Sequence, residues 1–336
     1  MEKLKIGICG YGGLGRMHVG NLMAMDDIEI VAVCDSNPTQ LEPVEIKTNL
    51  ANTVPVFDIR SCRTYGDFRK MLKRETLDAV VTALPTDIHA RYAVMAMTAG
   101  VHVFSEKPMA LTVRECDKMM ACRDANKVQL QIGQCLRFWP EYEALRNAVQ
   151  SGQYGKLEAL TLTRIGGYVT WGDWFNDGNR SGGAILDLHL HDVDWAQYAL
   201  GMPERLTAAG TRGKSGMIDD VTALWQYDGL VVTLRCSWKY QAFAMSFQAI
   251  FENACMDFGM HPDPALRVKV TGEPDFRKVE VPAGNGYANE LRHFFDCIRG
   301  QTVNTRCTAE STRRSVELVM LENKAIAKQK WIKLNQ

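Results

Sequence analysis

Leu4-Lys5-Ile6-Gly7-Ile8-Cys9-Gly10-Tyr11-Gly12-Gly13-Leu14-Gly15 is the stretch that decides the fold. A short apolar run leads into a Gly-x-Gly-x-x-Gly turn, and a helical pattern opens from it. The spacing predicts a strand over Leu4–Cys9 and a helix from Gly15 to Met25. In a dinucleotide site each glycine has its own task. Gly10 permits the tight turn, Gly12 lets the backbone approach a pyrophosphate, and Gly15 lets helix and strand pack closely. The pyrophosphate would lie over the helix N-terminus, on free N–H groups. A second apolar run, Ile28–Cys34, ends at Asp35, twenty residues beyond Gly15. An acid at that place bonds the adenosine ribose hydroxyls. It repels a 2′-phosphate, and Ser36-Asn37-Pro38 brings no arginine, so NAD is favoured over NADP. Arg60 and Arg63 are the loop arginines that would reverse this preference. The chain is short for a flavin disulfide reductase, which disfavours FAD.

Outward from this turn, short apolar runs alternate with helical stretches. Further strands are expected at Ala79–Ala83, Val101–Ser105 and Val128–Ile132, and helices at Tyr65–Arg74, Ile88–Ala99 and Thr112–Ala125. Most of these runs are continuously apolar, as a parallel sheet covered on both faces requires. The pattern predicts a doubly wound Rossmann domain over residues 1–135.

Beyond Arg137 the pattern changes. A helix (Pro140–Gln150), a strand (Lys156–Arg164) and a Gly/Trp/Asn/Asp-rich loop (166–183) are expected. A long helix from Gly183 to Leu200 follows, stopped by Gly201-Met202-Pro203. Arg205 to Val281 reads as successive strands without helices between them, hence a large, open, mostly antiparallel sheet. Helices at 287–299 and 308–327 close the chain. The second domain, an α/β substrate-binding and oligomerisation domain, is therefore drawn over 136–336. Its terminal helices are candidates to pack back on the first domain.

The composition bounds the partners. Lysine plus arginine number 39, aspartate plus glutamate 39, in 336 residues. This neutral balance favours a small molecule over nucleic acid or an anionic membrane. The opening MEKLKIGICG lacks a signal-peptide core, no apolar run nears membrane-spanning length, and ten cysteines make no C-x-x-C pair. A cytoplasmic protein with reduced thiols and no bound metal is expected.

Candidate chemistry lies at strand ends and on the long helix. Lys107 falls just past the carboxyl end of a parallel strand, where open α/β sheets bind ligands. Its cation suits a reacting oxygen that develops negative charge. Asp187 and His191 are four apart on the expected helix, hence on one face, where the carboxylate would orient the imidazole as proton acceptor. His189 should point elsewhere. A metal site from His189, His191, Asp187, Asp192 and Asp194 is disfavoured, because these side chains diverge around a helix. Trp171, Asp173, Trp174, Asn176, Asp177 and Arg180 have the mixture a sugar needs: apolar faces and hydroxyl partners.

Four motifs together resemble the Gfo/Idh/MocA oxidoreductases, the glucose-fructose oxidoreductase and inositol dehydrogenase group. They are the glycine fingerprint extended to His18; Pro85-Thr86-Asp87-Ile88-His89; Glu106-Lys107-Pro108; and Gly182-Gly183-Ala184-Ile185-Leu186-Asp187-Leu188-His189-Leu190-His191. With the tail segment Gly286–Gly300, the likeness covers nearly the whole chain. It implies a Rossmann domain plus an open-sheet α/β domain, in a homodimer or homotetramer. It implies cofactor contacts from Gly10, Gly12, Gly13, Leu14, Gly15, Asp35, Ser36, Leu84, Pro85, His89 and Glu106. Catalysis would fall to Lys107, Asp187 and His191. These three would also touch substrate, with Arg137, Trp139, Trp171 and Trp174. The expected reaction is hydride transfer between NAD and a secondary alcohol of a sugar, inositol or related polyol. A glycoside-cleaving enzyme that uses transient oxidation, and a non-catalytic dinucleotide sensor, are the alternatives.

Overall fold

Helical and extended segments alternate as far as Gly133 and give way to consecutive strands after Gly201 in the computed structural model, which describes residues 2–42, 57–260 and 264–334. The chain divides into two compact units, Met1–Gln134 with Tyr287–Arg313, and Cys135–Gly286 with Arg314–Gln336.

The first unit holds β1 (Leu4–Cys9), α1 (Gly13–Met23), β2 (Ile28–Cys34), β3 (Arg63–Tyr65), α2 (Phe68–Arg74), β4 (Ala79–Thr82), α3 (His89–Thr98), β5 (His102–Glu106), α4 (Val113–Asn126) and β6 (Leu130–Gly133). Its six strands are parallel, in the order β3-β2-β1-β4-β5-β6. Strand order reverses between β1 and β4, so the crevice outside their carboxyl ends is the topological switch point. Every residue of β4 and β6 is buried, including Gln131, whose Nε2 bonds Glu290 O at 2.8 Å. Helix α4 starts on a capping box, with Thr112 and Glu115 bonding each other's backbone N–H groups. Leu291, Phe294 and Phe295, from the late helix over Gly286–Ile298, join Ile6, Ile8 and Phe104 in the core.

Local expectations shift here. Helix α1 begins at Gly13 rather than Gly15, with Gly12 as its N-cap. Tyr65 ends a three-residue edge strand instead of opening a helix; Asp67 caps α2 by accepting from Lys70 N. So short and exposed a strand has no apolar signature. Val101 lies outside β5 because its N–H closes the end of α3 on Ala96 O, 3.2 Å.

The second unit holds α5 (Pro140–Ser151), β7 (Leu157–Ile165), α6 (Gly178–Ser181), α7 (Ala184–Asp187), α8 (Leu190–Leu200), β8 (Arg205–Arg212), β9 (Ile218–Tyr227), β10 (Leu230–Ser237), β11 (Ala244–Phe251), β12 (Ala254–Phe258), β13 (Arg267–Val270) and β14 (Arg277–Lys278). After α9, the helix over Gly286–Ile298, α10 (Ala309–Lys328) crosses the division between the units, and β15 (Ile332–Lys333) ends the fold. The nine strands run in the order β14-β13-β12-β11-β7-β10-β9-β8-β15, and only β7 and β10 pair parallel. Buried residues alternate at Leu160, Leu162 and Arg164 of β7 and at Asp219, Val221, Ala223 and Trp225 of β9, so one face of this sheet packs into a core. Tyr142 of α5 anchors that core edge-to-face against Trp195, Phe247 and Phe258. The opposite face carries exposed Val231 and Ile250.

The single helix expected over Gly183–Leu200 is two. Leu188 N and His189 N both reach Ala184 O at 2.9 Å, which widens the turn and breaks the helix at 188–189. His189 is tied at the break: its Nε2 bonds Glu322 Oε2 of α10 at 2.9 Å, and Glu322 Oε1 accepts Trp225 Nε1 at 2.7 Å. The one-face argument for Asp187 and His191 therefore fails in its simple form, since the two residues stand on successive helices. Among the described residues no helix is long and apolar enough to cross a membrane.

Candidate functional site

In the first unit, three glycines explain themselves by what a side chain would meet. Gly10 takes φ +89°, and a Cβ there would collide with the Ala83 carbonyl. A Cβ on Gly15 would run into the Gly10 carbonyl, so glycine is required where α1 passes closest to β1. A Cβ on Gly12 would meet nothing within 4 Å. That open space lies at the N-cap of α1, whose first N–H groups lack helical partners. The cradle fits a dinucleotide pyrophosphate.

Asp35 follows β2 directly. Its Oδ2 accepts Tyr11 N at 2.7 Å and its Oδ1 accepts Asn37 N at 2.8 Å. The carboxylate thus binds the glycine turn to the end of β2 and stays fixed where a ribose would lie. The arginines near this edge are engaged. Arg60 Nε pairs with Asp58 at 2.8 Å, and Arg63 Nε pairs with Glu75 at 3.1 Å. Arg16 bonds Gln40 O at 2.6 Å and lies 4.2 Å over the Tyr11 ring.

Glu106 ends β5 and is buried. Its Oε1 accepts His18 Nε2 at 2.6 Å, and its Oε2 accepts Lys107 N at 3.1 Å. His18 sits between Phe104 and Tyr287 rings as this carboxylate's partner. Lys107 follows at the carboxyl edge of the sheet. The His89 ring contacts two carbonyl oxygens, Pro108 O through Nδ1 and Leu84 O through Nε2, each at 2.7 Å. With both ring nitrogens so used, direct cofactor bonding through the imidazole departs from expectation. Burial pushes the His89 pKa below its ordinary value. The two carbonyls and Glu106 pull against burial, and Lys107 pushes with it.

In the second unit, Asp187 closes α7 and His191 lies in the first turn of α8. His191 Nδ1 stands 4.0 Å from the Cys135 sulfur. The acids on either side of His191 in sequence hold α8 in place. Asp192 takes a two-point bond from Arg164 (Nε and Nη2, 3.1 Å each), and Tyr142 Oη lies 3.3 Å from the same guanidinium. Burial would lower the Arg164 pKa, but Asp192 raises it well above the ordinary arginine value. Asp194 accepts Arg137 Nε at 2.7 Å and Nη2 at 2.6 Å, and Ser315 Oγ at 2.7 Å. Arg137, expected at substrate, is a buried member of an ion pair and positions α8. His189, Asp192 and Asp194, weighed as metal ligands, are all committed to protein partners.

Trp139 caps α5, and its ring lies where a Cβ on Gly286 would stand. Trp174 stacks on Phe175 at 3.8 Å, and Trp171 meets Phe175 edge-on, itself 57% exposed. The loop therefore presents one aromatic stack. The positioning residues missed in the sequence include Arg164, Glu322 and Cys135. Arg164 did leave a signal: it shares a strand face with Leu160 and Leu162, and an arginine in a buried alternation requires an acid.

A switch-point glycine cradle, a carboxylate at the second strand and a strand-end lysine define a dinucleotide-binding oxidoreductase class of fold. Residues 4–134 match the oxidoreductase family with NAD-binding Rossmann fold, and residues 142–262 match the GFO/IDH/MocA C-terminal domain. The chain belongs to the GFO/IDH/MocA family. It is 27% identical to the inositol 2-dehydrogenase of Rhizobium meliloti, over 88% of this chain and 84% of that one. It is 27% identical to the myo-inositol 2-dehydrogenase of Thermotoga maritima, over 69% of this chain and 65% of that one, just under two thirds of the relative's length. In fold it is similar to levoglucosan dehydrogenase in complex with NADH and L-sorbose, with a TM-score of 0.83 at 18% identity over both whole chains.

Proposed function

We propose that this protein is an NAD-dependent dehydrogenase that interconverts a secondary alcohol and a ketone on a sugar, inositol or related polyol. The observation that carries the reading is the open Gly12 cradle at the N-cap of α1, in a chain that also presents Lys107 at the carboxyl edge of the same sheet. The names of its inositol and levoglucosan dehydrogenase relatives support the substrate class. Gly10, Gly12, Gly13, Leu14 and Gly15 would hold the pyrophosphate, and Asp35 the ribose hydroxyls. Asp35 and the engagement of Arg16, Arg60 and Arg63 favour NAD over NADP. Ser36, Leu84, Pro85 and Glu106 line the rest of the cofactor edge.

Bound NAD supplies the hydride acceptor. Lys107 Nζ bonds the reacting oxygen and stabilises its developing charge. His191 removes the hydroxyl proton, and Asp187 sets its orientation. Trp139, Trp171 and Trp174 offer apolar faces to the C–H side of the substrate. Ten cysteines without a disulfide fit a reducing cytoplasm. A second copy of the chain is proposed to cover the open sheet face bearing Val231 and Ile250, which light scattering reads as a dimer or tetramer.

The test is a panel of inositols, aldoses, keto-sugars and glycosides with NAD, followed by NADH absorbance. Net NADH from a polyol is expected. Cleavage of a glycoside without net NADH, or no turnover of any compound by protein that binds NADH, overturns the reading.

A further inference from the structure

The Lys107-Pro108 segment and the Leu84 segment follow neighbouring strands, β5 and β4, and one buried side chain bridges them. His89, 1% exposed, places Nδ1 at 2.7 Å from Pro108 O and Nε2 at 2.7 Å from Leu84 O. We propose that His89 is a positioning residue that holds the Lys107-Pro108 segment through the contact of its Nδ1 with Pro108 O, so that the lysine is placed by the imidazole. This rests on the reading above, in which Lys107 serves the reacting oxygen.

The other restraint on the segment is Glu106, whose Oε2 holds Lys107 N at 3.1 Å while Oε1 is held by His18. Glu106 fixes the amide before the lysine side chain, and His89 fixes the carbonyl after it. Together they hold the backbone on each side of Lys107. A neutral imidazole has one N–H for the two carbonyls, and an imidazolium has one for each. The neutral ring therefore donates to one carbonyl only, and the imidazolium to both.

The bridge makes a prediction that side-chain volume does not. Asparagine carries its amide nitrogen where His Nδ1 lies, and glutamine carries its own near His Nε2. His89→Asn keeps the Pro108 bond, His89→Gln keeps only the Leu84 bond, and His89→Leu keeps neither. Protein labelled with 13C at lysine Cε is titrated with NADH, and the Lys107 resonance is assigned by its loss in Lys107→Arg. His89→Asn should retain the wild-type Lys107 resonance and its response to NADH. His89→Gln and His89→Leu should displace the resonance and lose more than half the response. Melting followed by circular dichroism checks folding; if the leucine variant does not fold, the Asn/Gln pair decides. On a polyol the wild type oxidises, kcat should fall roughly tenfold in His89→Gln, about one broken hydrogen bond, and stay near wild type in His89→Asn. If His89→Gln is the milder variant, or the Lys107 resonance is unmoved in all three, the proposal is overturned. Displacement of the resonance in a protein that oxidises no polyol would sink the function reading and leave the bridge standing.

Discussion

The two sheets solve opposite problems, and their sites are built accordingly. The parallel sheet is covered on both faces, so its strands are short apolar blocks and its functional groups collect at the carboxyl ends, directly after each block. Gly10 follows β1, Asp35 follows β2, Leu84 follows β4 by one residue, and Lys107 follows β5. The nine-stranded sheet alternates buried and open positions. Its candidate groups stand on two short helices, placed by buried ion pairs whose members lie far apart in sequence: Arg137 with Asp194, and Arg164 with Asp192. The first arrangement is fixed by local order along the chain. The second depends on long-range electrostatics in a dry interior.

The sharpest way to break this comparison is to remove one member of a buried pair. Arg137→Ala leaves Asp194 enclosed with Ser315 as its remaining named partner and should cost about 3–5 kcal/mol of stability, read by urea unfolding. A loss below ~1 kcal/mol, the size of a surface pair, would show that α8 is held by packing alone.

Next in size is Lys107→Ala. Turnover should fall roughly 10²–10³-fold, the loss of one charged stabiliser, while NADH affinity measured by fluorescence stays near wild type. Unchanged turnover would remove Lys107 from the chemistry.

Asp35→Ala should weaken NAD binding about tenfold, the loss of one charge-assisted bond, and narrow the preference over NADP. Equal loss for both cofactors would mean that the carboxylate serves only the Tyr11 and Asn37 amides.

The smallest effect is a pH response in the first unit. Burial lowers the pKa of His89, of His102 against the opposing pull of Asp78, and of His293, where Arg306 adds to the lowering and Asp296 opposes it. All three lie in the first unit. A depressed histidine means that the unfolded chain takes protons first as pH falls. The stability is full above an unfolded pKa of about 6.5 and is lost as pH drops below it through the folded values. Hydrogen exchange at pH 7.5 and 5.5, corrected for intrinsic rate, should show protection falling in β1 and β4 more than in β9 and β10. Equal falls in both sheets would contradict it.

Much of the first unit was legible because its signals are contiguous. The glycine turn, the apolar blocks and Asp35 are each a few residues long, and their spacing carries the geometry. The short strand β3 escaped because three residues, two of them exposed, have no periodicity. In the second unit the sheet was legible from its strands, but the break between Asp187 and His191 was not. It arises from a widened turn at Ala184 and from His189 bound to Glu322, a partner 133 positions away. Likewise the pairing of Arg137 with Asp194 spans 57 positions, which no local pattern carries.

The sequence by itself determined the dinucleotide cradle, the parallel order that surrounds it, and the family, because the close approaches at Gly10 and Gly15 admit no side chain and Gly12 keeps the cradle open. Only the tertiary structure decided which side of His89 faces which carbonyl, what Glu106 holds, and how α7 and α8 divide the Asp187–His191 segment. Those outcomes depend on desolvated hydrogen bonds between distant residues, whose pairing no local pattern records.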